Sequence, residues 1–202
     1  MNGVAASPSA AGFRQLVRAD LSAYLLRDLS RAPRGSLAKA FARAWLDRDF
    51  RVVVQIRLIQ ALIRRRVKWL AMILYFRQKR KYAVDISPWA TYGPGLRLMH
   101  GYNITIGASV VIGANCKIYN GVTLGKSRPD MLRNAMPVVG DDCILGTGAK
   151  LLGSIRVDDA VLVGANFVVR RDLIKGTEYF DEMVSARQVR ERLPAPGSTE
   201  AA

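Results

Sequence analysis

A mainly β chain with an α-helical N-terminal region, its β part wound as a parallel β-helix, is the fold the sequence predicts. Two observations predict it: a six-residue repeat after Asp85, and a three- and four-residue apolar spacing before it. In the repeat an aliphatic residue recurs at Ile106, Ile112, Ile118 and Leu124, then at Val139, Leu145, Leu151, Val157, Val163 and Val169. Most are followed by a small residue, and four positions later comes a second small or apolar one: Val110, Cys116, Val122, Cys143, Ala149, Ile155, Val161, Phe167 or Leu173. In a parallel β-helix each hexad supplies a short strand and a turn, and three hexads close one triangular coil. The first aliphatic points into the prism and stacks on its equivalent one coil away, and glycine follows where the backbone must turn tightly. Three segments result: a basic helical region over residues 1–84, a β-helix domain over 85–174, and a charged helix with a flexible tail over 175–202.

The helical region begins with a stretch from Ser7 to Leu46, broken near Arg31–Gly35 by the turn-forming RAPRG. In Phe50–Arg66 the apolar positions Val53, Ile56, Leu58, Ile59, Leu62 and Ile63 make an amphipathic helix. Val67–Phe76 is apolar nearly all round between basic clusters. The net charge is +15, and between Arg51 and Lys81 lie ten basic residues and no acidic one. Such a field draws anions, so this stretch fits two roles: packing in a helical cap or oligomer, or lying on an anionic membrane surface. Nucleic acid is not an expected partner, because no helix-turn-helix, zinc or aromatic-basic sheet pattern accompanies the charge.

No stretch has the build of a signal peptide, and the longest apolar run, Trp69 to Phe76, is too short to span a bilayer, which points to a cytoplasmic protein with a peripheral membrane contact at most. Cys116 and Cys143 fall on inward small-residue positions and read as core packing, with no metal site expected.

Two irregularities interrupt the repeat. From Leu98 to Ile106 the spacing is eight, which inserts two residues beside His100, the chain's one histidine. From Leu124 to Val139 it is fifteen, so the polar, turn-rich KSRPDMLRNAMP leaves the prism as a loop. Insertions in a solenoid map to loops, often on the binding face.

With the hexads, the preceding basic helices, and the segments Asp85-Ile86-Ser87-Pro88, His100-Gly101 and Gly121-Val122-Thr123-Leu124-Gly125, the chain resembles the serine O-acetyltransferase branch of the hexapeptide-repeat acyltransferases over about residues 50–174. The resemblance implies a left-handed β-helix, a homotrimer with sites between neighbouring prisms, and acetyl-coenzyme A as co-substrate. It places the general base at His100 and the carboxylate orienting it at Asp85. That chemistry is sound: a neutral imidazole takes the proton of a hydroxyl attacking the thioester, and a carboxylate on its other nitrogen fixes the tautomer. The coenzyme track falls on Gly125, Lys126, Ser127, Thr147, Gly148, Lys150, Gly164 and Ala165, with Arg170 and Arg171 placed to meet its phosphates.

Serine-specific relatives carry an acidic residue directly before the histidine and an Arg-His pair in the long loop. Here those positions hold Met99, and Ala135 with Met136. A site without groups for an amino acid's carboxylate and amine binds serine poorly. The expected acceptor is therefore a sugar hydroxyl of a polysaccharide or glycolipid precursor, held near Met99, Arg133 and Met136, with Arg128 a further loop contact. The alternatives are serine itself and a catalytically inactive trimeric scaffold. The proline-containing segment that closes relatives of this kind is missing after Leu173.

Overall fold

The computed structural model describes residues 12–26, 29, 33–130, 132 and 135–179. Among these described residues four helices come first: α1 (Phe13–Leu25), α2 (Arg34–Trp45), α3 (Arg48–Arg64) and α4 (Lys68–Tyr82). Fourteen short strands follow. One face of the prism holds β1 (Asp85–Ile86), β4 (Thr105–Ile106), β7 (Thr123–Gly125), β10 (Lys150–Leu152) and β13 (Val168–Val169). A second holds β2 (Thr91–Tyr92), β5 (Val111–Ile112), β8 (Val138–Val139) and β11 (Arg156–Val157). The third holds β3 (Arg97–Met99), β6 (Lys117–Tyr119), β9 (Ile144–Leu145), β12 (Leu162–Val163) and β14 (Glu178–Tyr179), and all pairings are parallel.

The repeat's inward positions are the core. Every first aliphatic from Ile106 to Val169 is at most 2% exposed, and all of the second set are buried except the half-buried Phe167. On the first face Ile86 stacks on Ile106, Leu124, Leu151 and Val169, in steps of 20, 18, 27 and 18 residues. A step of 18 is three hexads, so the two residues near His100 and the nine of the long loop enter without disturbing the register on either side. Cys116 and Cys143 are free, fully buried, and each sulfur donates to a carbonyl of the coil that follows, Gly140 O at 3.2 Å and Asp158 O at 3.1 Å.

The glycines that follow the aliphatics serve a purpose other than the turning expected of them. The left-handed turn positions fall elsewhere, for example at Asn103, Gly121, Gly148 and Asn166 along one edge, with φ of 52°, 71°, 72° and 57°. A methyl group on Gly113 would sit 2.6 Å from the Gly140 backbone, and one on Gly146 would lie 2.8 Å from Val163 O. These glycines let one coil lie directly on the next.

The end of the solenoid differs from expectation. Lys175–Leu193 reads as a charged helix in the sequence, yet Lys175 and Gly176 form a turn and Glu178–Tyr179 is β14, paired with β12. Strand pairing carries the solenoid to Tyr179 instead of 174, because Tyr179 takes the inward position on Val163 and packs against Phe167. Residues beyond 179 lie outside the described part.

α3 begins where the Asp47 carboxylate caps the N–H groups of Asp49 and Phe50, at 2.7 and 3.2 Å. It buries Phe50, Val52, Val53, Ile56 and Ile59, whereas Leu58, expected on the apolar stripe, is 40% exposed. Arg57, counted among the surface charges from sequence, is instead buried. Its guanidinium forks onto Asp20 of α1 (2.9 and 3.0 Å) and donates to Tyr92 O and Gly93 O (2.8 and 2.6 Å). Asp20 Oδ1 accepts the Leu96 N–H at 3.0 Å, so the pair ties α1 and α3 to the first coil.

Candidate active site

His100 follows β3 at the edge between the third and first faces, with an exposed side chain and a φ of 55°. Such left-handed backbone costs a non-glycine residue about 1–2 kcal/mol, so its surroundings must hold it. The Tyr102 N–H returns to His100 O at 2.8 Å, and the Asp49 carboxylate, from the first turn of α3, accepts the Gly101 N–H at 2.9 Å. Burial raises the pKa of Asp49 above the usual carboxylate value, although the Gly101 and His100 N–H groups favour its charged form. The carboxylate thus braces the His100–Gly101 turn from outside the solenoid.

Asp85 starts the outward column of the first face, followed in register by Thr105, Thr123, Lys150 and Val168. The His100–Ile104 loop runs beside it, since the Asn103 N–H donates to Ala83 O (2.7 Å) and the Asp85 N–H to Ile104 O (2.8 Å). The two predicted catalytic residues therefore share one corner. No hydrogen bond joins them among the described residues. The Asp85 carboxylate is instead held by two side chains of α4, accepting from Tyr75 OH at 2.6 Å and Lys79 Nζ at 2.8 Å. Burial pulls its pKa up, but the bond from Lys79, the bond from Tyr75 and the Lys79 charge outweigh it and leave the carboxyl below its ordinary value. Asp85 is an ionised anchor in this arrangement, and Tyr75 and Lys79 set its direction.

Asp49, Tyr75 and Lys79 were missed from sequence. The start of α3 is legible in Asp47, but the reach from Asp49 to Gly101 spans 52 residues and leaves no local signal.

The predicted coenzyme residues divide between the two edges that flank the first face. Thr147, Gly148 and Ala165 lie along the His100 edge: the Gly148 N–H donates to Asn120 O, the Asn166 N–H to Thr147 O, and the Gly121 N–H to Tyr102 O in the coil of His100. Gly164, next to Ala165, is buried under Tyr179, whose carbonyl takes its N–H at 2.6 Å. Gly125, Lys126, Ser127 and Arg170 lie at the other edge. Gly125 looks onto open space, and Ser127 faces Gly153, whose N–H donates to Gly125 O at 2.8 Å. Lys150 sits between the edges, yet its ammonium is spent on Gly121 O and Gly148 O, both at 2.9 Å, and so serves the turns. Arg170 and Arg171 line a cleft of about 250 Å³ with Phe167 and Leu173, a setting suited to an anionic group.

On the acceptor side Met99 pairs with Tyr119 in β3 and β6. Met136 is half-buried against the solenoid core, and a methyl on Gly107 would come within 2.8 Å of its Cε. The Ala135 N–H donates to Leu132 O at 3.0 Å. Arg128 forms an exposed pair with Asp130 at 3.5 Å, and Arg133 lies outside the described residues. A larger hollow of about 990 Å³, between α1 and α2, reaches the solenoid at Asn115, on a different edge from His100.

A hexad-built prism of parallel strands, entered from four helices, is the fold of the left-handed β-helix acyltransferases. No family model matches the chain. Among curated proteins, the serine acetyltransferase of Helicobacter pylori is 39% identical over 121 residues, covering 60% of this chain and 70% of that protein. That of Synechococcus elongatus is 32% identical over 124 residues, covering 61% of this chain and 50% of its own. Among solved structures, the serine acetyltransferase of Neisseria gonorrhoeae matches with a TM-score of 0.70 at 30% identity, over 82% of this chain and 62% of that one. The soybean serine acetyltransferase complexed with serine matches at 0.71 and 30%, over 84% and 67%. The chain belongs to the serine acetyltransferase family.

Proposed function

We propose that the protein transfers an acetyl group from acetyl-coenzyme A to a hydroxyl, with His100 as general base and direct attack on the thioester. The observation that carries this is the corner itself: the one histidine, exposed, held in left-handed backbone by Asp49 and set beside Asp85. The hydroxyl proton passes to the imidazole as its oxygen bonds to the thioester carbonyl carbon. The imidazolium then returns the proton to the departing thiolate of coenzyme A. Backbone N–H groups near the thioester stabilise the oxyanion. The coenzyme lies across the first face, and its two edges are enclosed when a second prism packs there. A homotrimer supplies that enclosure.

The relatives favour serine as the acceptor. A second reading, a sugar hydroxyl of a polysaccharide or glycolipid precursor, is favoured by Met99, Ala135 and Met136, which offer no charge to a zwitterion. Coenzyme A release with serine, nucleotide sugars, lipid-linked sugars and oligosaccharides separates the two. Saturable turnover on serine establishes the first reading, and turnover on a sugar with serine inert establishes the second. An absence of His100-dependent release on every acceptor would leave the scaffold.

Asp49→Ala is expected to lower kcat by about tenfold or more, with the KM for acetyl-coenzyme A little changed, because it frees the turn that aims His100. Asp49→Asn keeps an acceptor oxygen for the Gly101 N–H and should retain most activity. Steady-state kinetics of the two variants check this.

A further inference from the structure

We propose that α4 docks the enzyme on the surface of an anionic phospholipid bilayer. This inference stands apart from the identity of the acceptor. Ala71, Gln78 and Tyr82 turn inward on α4, and at about 100° per residue the opposite side carries Trp69, Ile73 and Phe76, spaced i, i+4 and i+7. These three are 68%, 55% and 55% exposed, an apolar stripe left uncovered along this side of the helix. Trp89, in the first coil, is also exposed.

The charges around the stripe say what covers it. Burial of Arg57 and pairing of Lys79 remove two cations from the field. Arg64, Arg65 and Arg66 remain at one end, Lys68 beside them, and Arg77, Arg80 and Lys81 along the helix, all exposed. None is in an ion pair among the described residues. A second copy presenting this same face would bring like charges together across a symmetric contact. Nucleic acid would meet the charges but leave the apolar side chains wet. A bilayer with anionic headgroups satisfies both, taking Trp69, Ile73 and Phe76 into its acyl boundary while the cations meet the phosphates. Among the described residues no helix is long and apolar enough to cross a membrane.

The same helix touches the candidate site. Tyr75, which donates to Asp85, meets Trp89 edge to face with ring centroids 6.3 Å apart. Docking by α4 therefore sets the Asp85 corner close to the lipid surface.

The test is co-sedimentation of the full-length protein with vesicles of phosphatidylcholine alone or with about 30% phosphatidylglycerol, alongside quenching of tryptophan fluorescence by brominated lipid. Binding is expected to the anionic vesicles, about tenfold or more above the neutral ones and weakened by salt, with quenching. The double variant Trp69→Ser and Phe76→Ser should lose binding by about tenfold while keeping its thermal melt, its oligomeric mass and its coenzyme A release on a soluble acceptor. Equal or absent binding to both vesicles would overturn the proposal. So would a change of oligomeric mass in the double variant, which would mark the face as a contact between copies.

Discussion

His100→Ala is expected to lower kcat by about 10²–10⁴, whichever hydroxyl proves to be the acceptor, with KM for acetyl-coenzyme A nearly unchanged. The imidazole is the general base proposed at this corner. Asp85 stays ionised behind Tyr75 and Lys79, and Asp49 is committed to the Gly101 N–H. Neither carboxylate is aimed to substitute. The left-handed backbone of residue 100 tolerates alanine at a cost of about 1–2 kcal/mol that histidine already meets, so the variant should fold. The pH dependence carries a further check. Asp85 has a depressed pKa, so the stability its anchoring contributes is present above the ordinary carboxylate value and is lost only as pH falls below it. Acid loosening of the Asp85 anchor is therefore expected only below the ordinary carboxylate range. Coenzyme A release by wild type and variant, each followed across pH beside a folding signal, measures both effects.

Asp20→Ala is expected to destabilise the fold by about 3–5 kcal/mol. Asp20 and Arg57 are both fully buried, and each polar atom of the pair has a partner. Removing the carboxylate leaves a buried guanidinium facing two carbonyls and strands the Leu96 N–H. Removing both charges with Asp20→Ala and Arg57→Met together should recover much of the loss, because the unpaired charge dominates the penalty. Urea unfolding followed by circular dichroism reads the change, and helix content should melt first, since the pair joins helices to solenoid.

Sequence reading succeeded where one local period governs. The inward aliphatics and the two insertions follow from spacing, and the steps of 20 and 27 residues match them. It failed where distant residues meet. Arg57 reads as a surface charge until Asp20, 37 residues away, lies against it. Glycine after an aliphatic suggests a turn, and only the stacking of Gly113 on Gly140 shows the need for close approach. Glu178 and Tyr179 read as helix because their neighbours are charged, while pairing with β12 makes them strand. The nearness of His100 to Asp85 follows from the order of the coils, whereas the bonds that Asp49, Tyr75 and Lys79 make at that corner depend on how the helices dock.

The two stacked thiols give the solenoid a built-in reporter. Cys116 and Cys143 occupy successive middle coils, closed to solvent and facing carbonyls of the next coil. An alkylating reagent can reach them only when those coils part, so the rate of labelling under native conditions is a clock for the opening of the prism's centre. Fraying at the helical cap or at β14 leaves that clock untouched, which separates events at the ends of the stack from events in its middle.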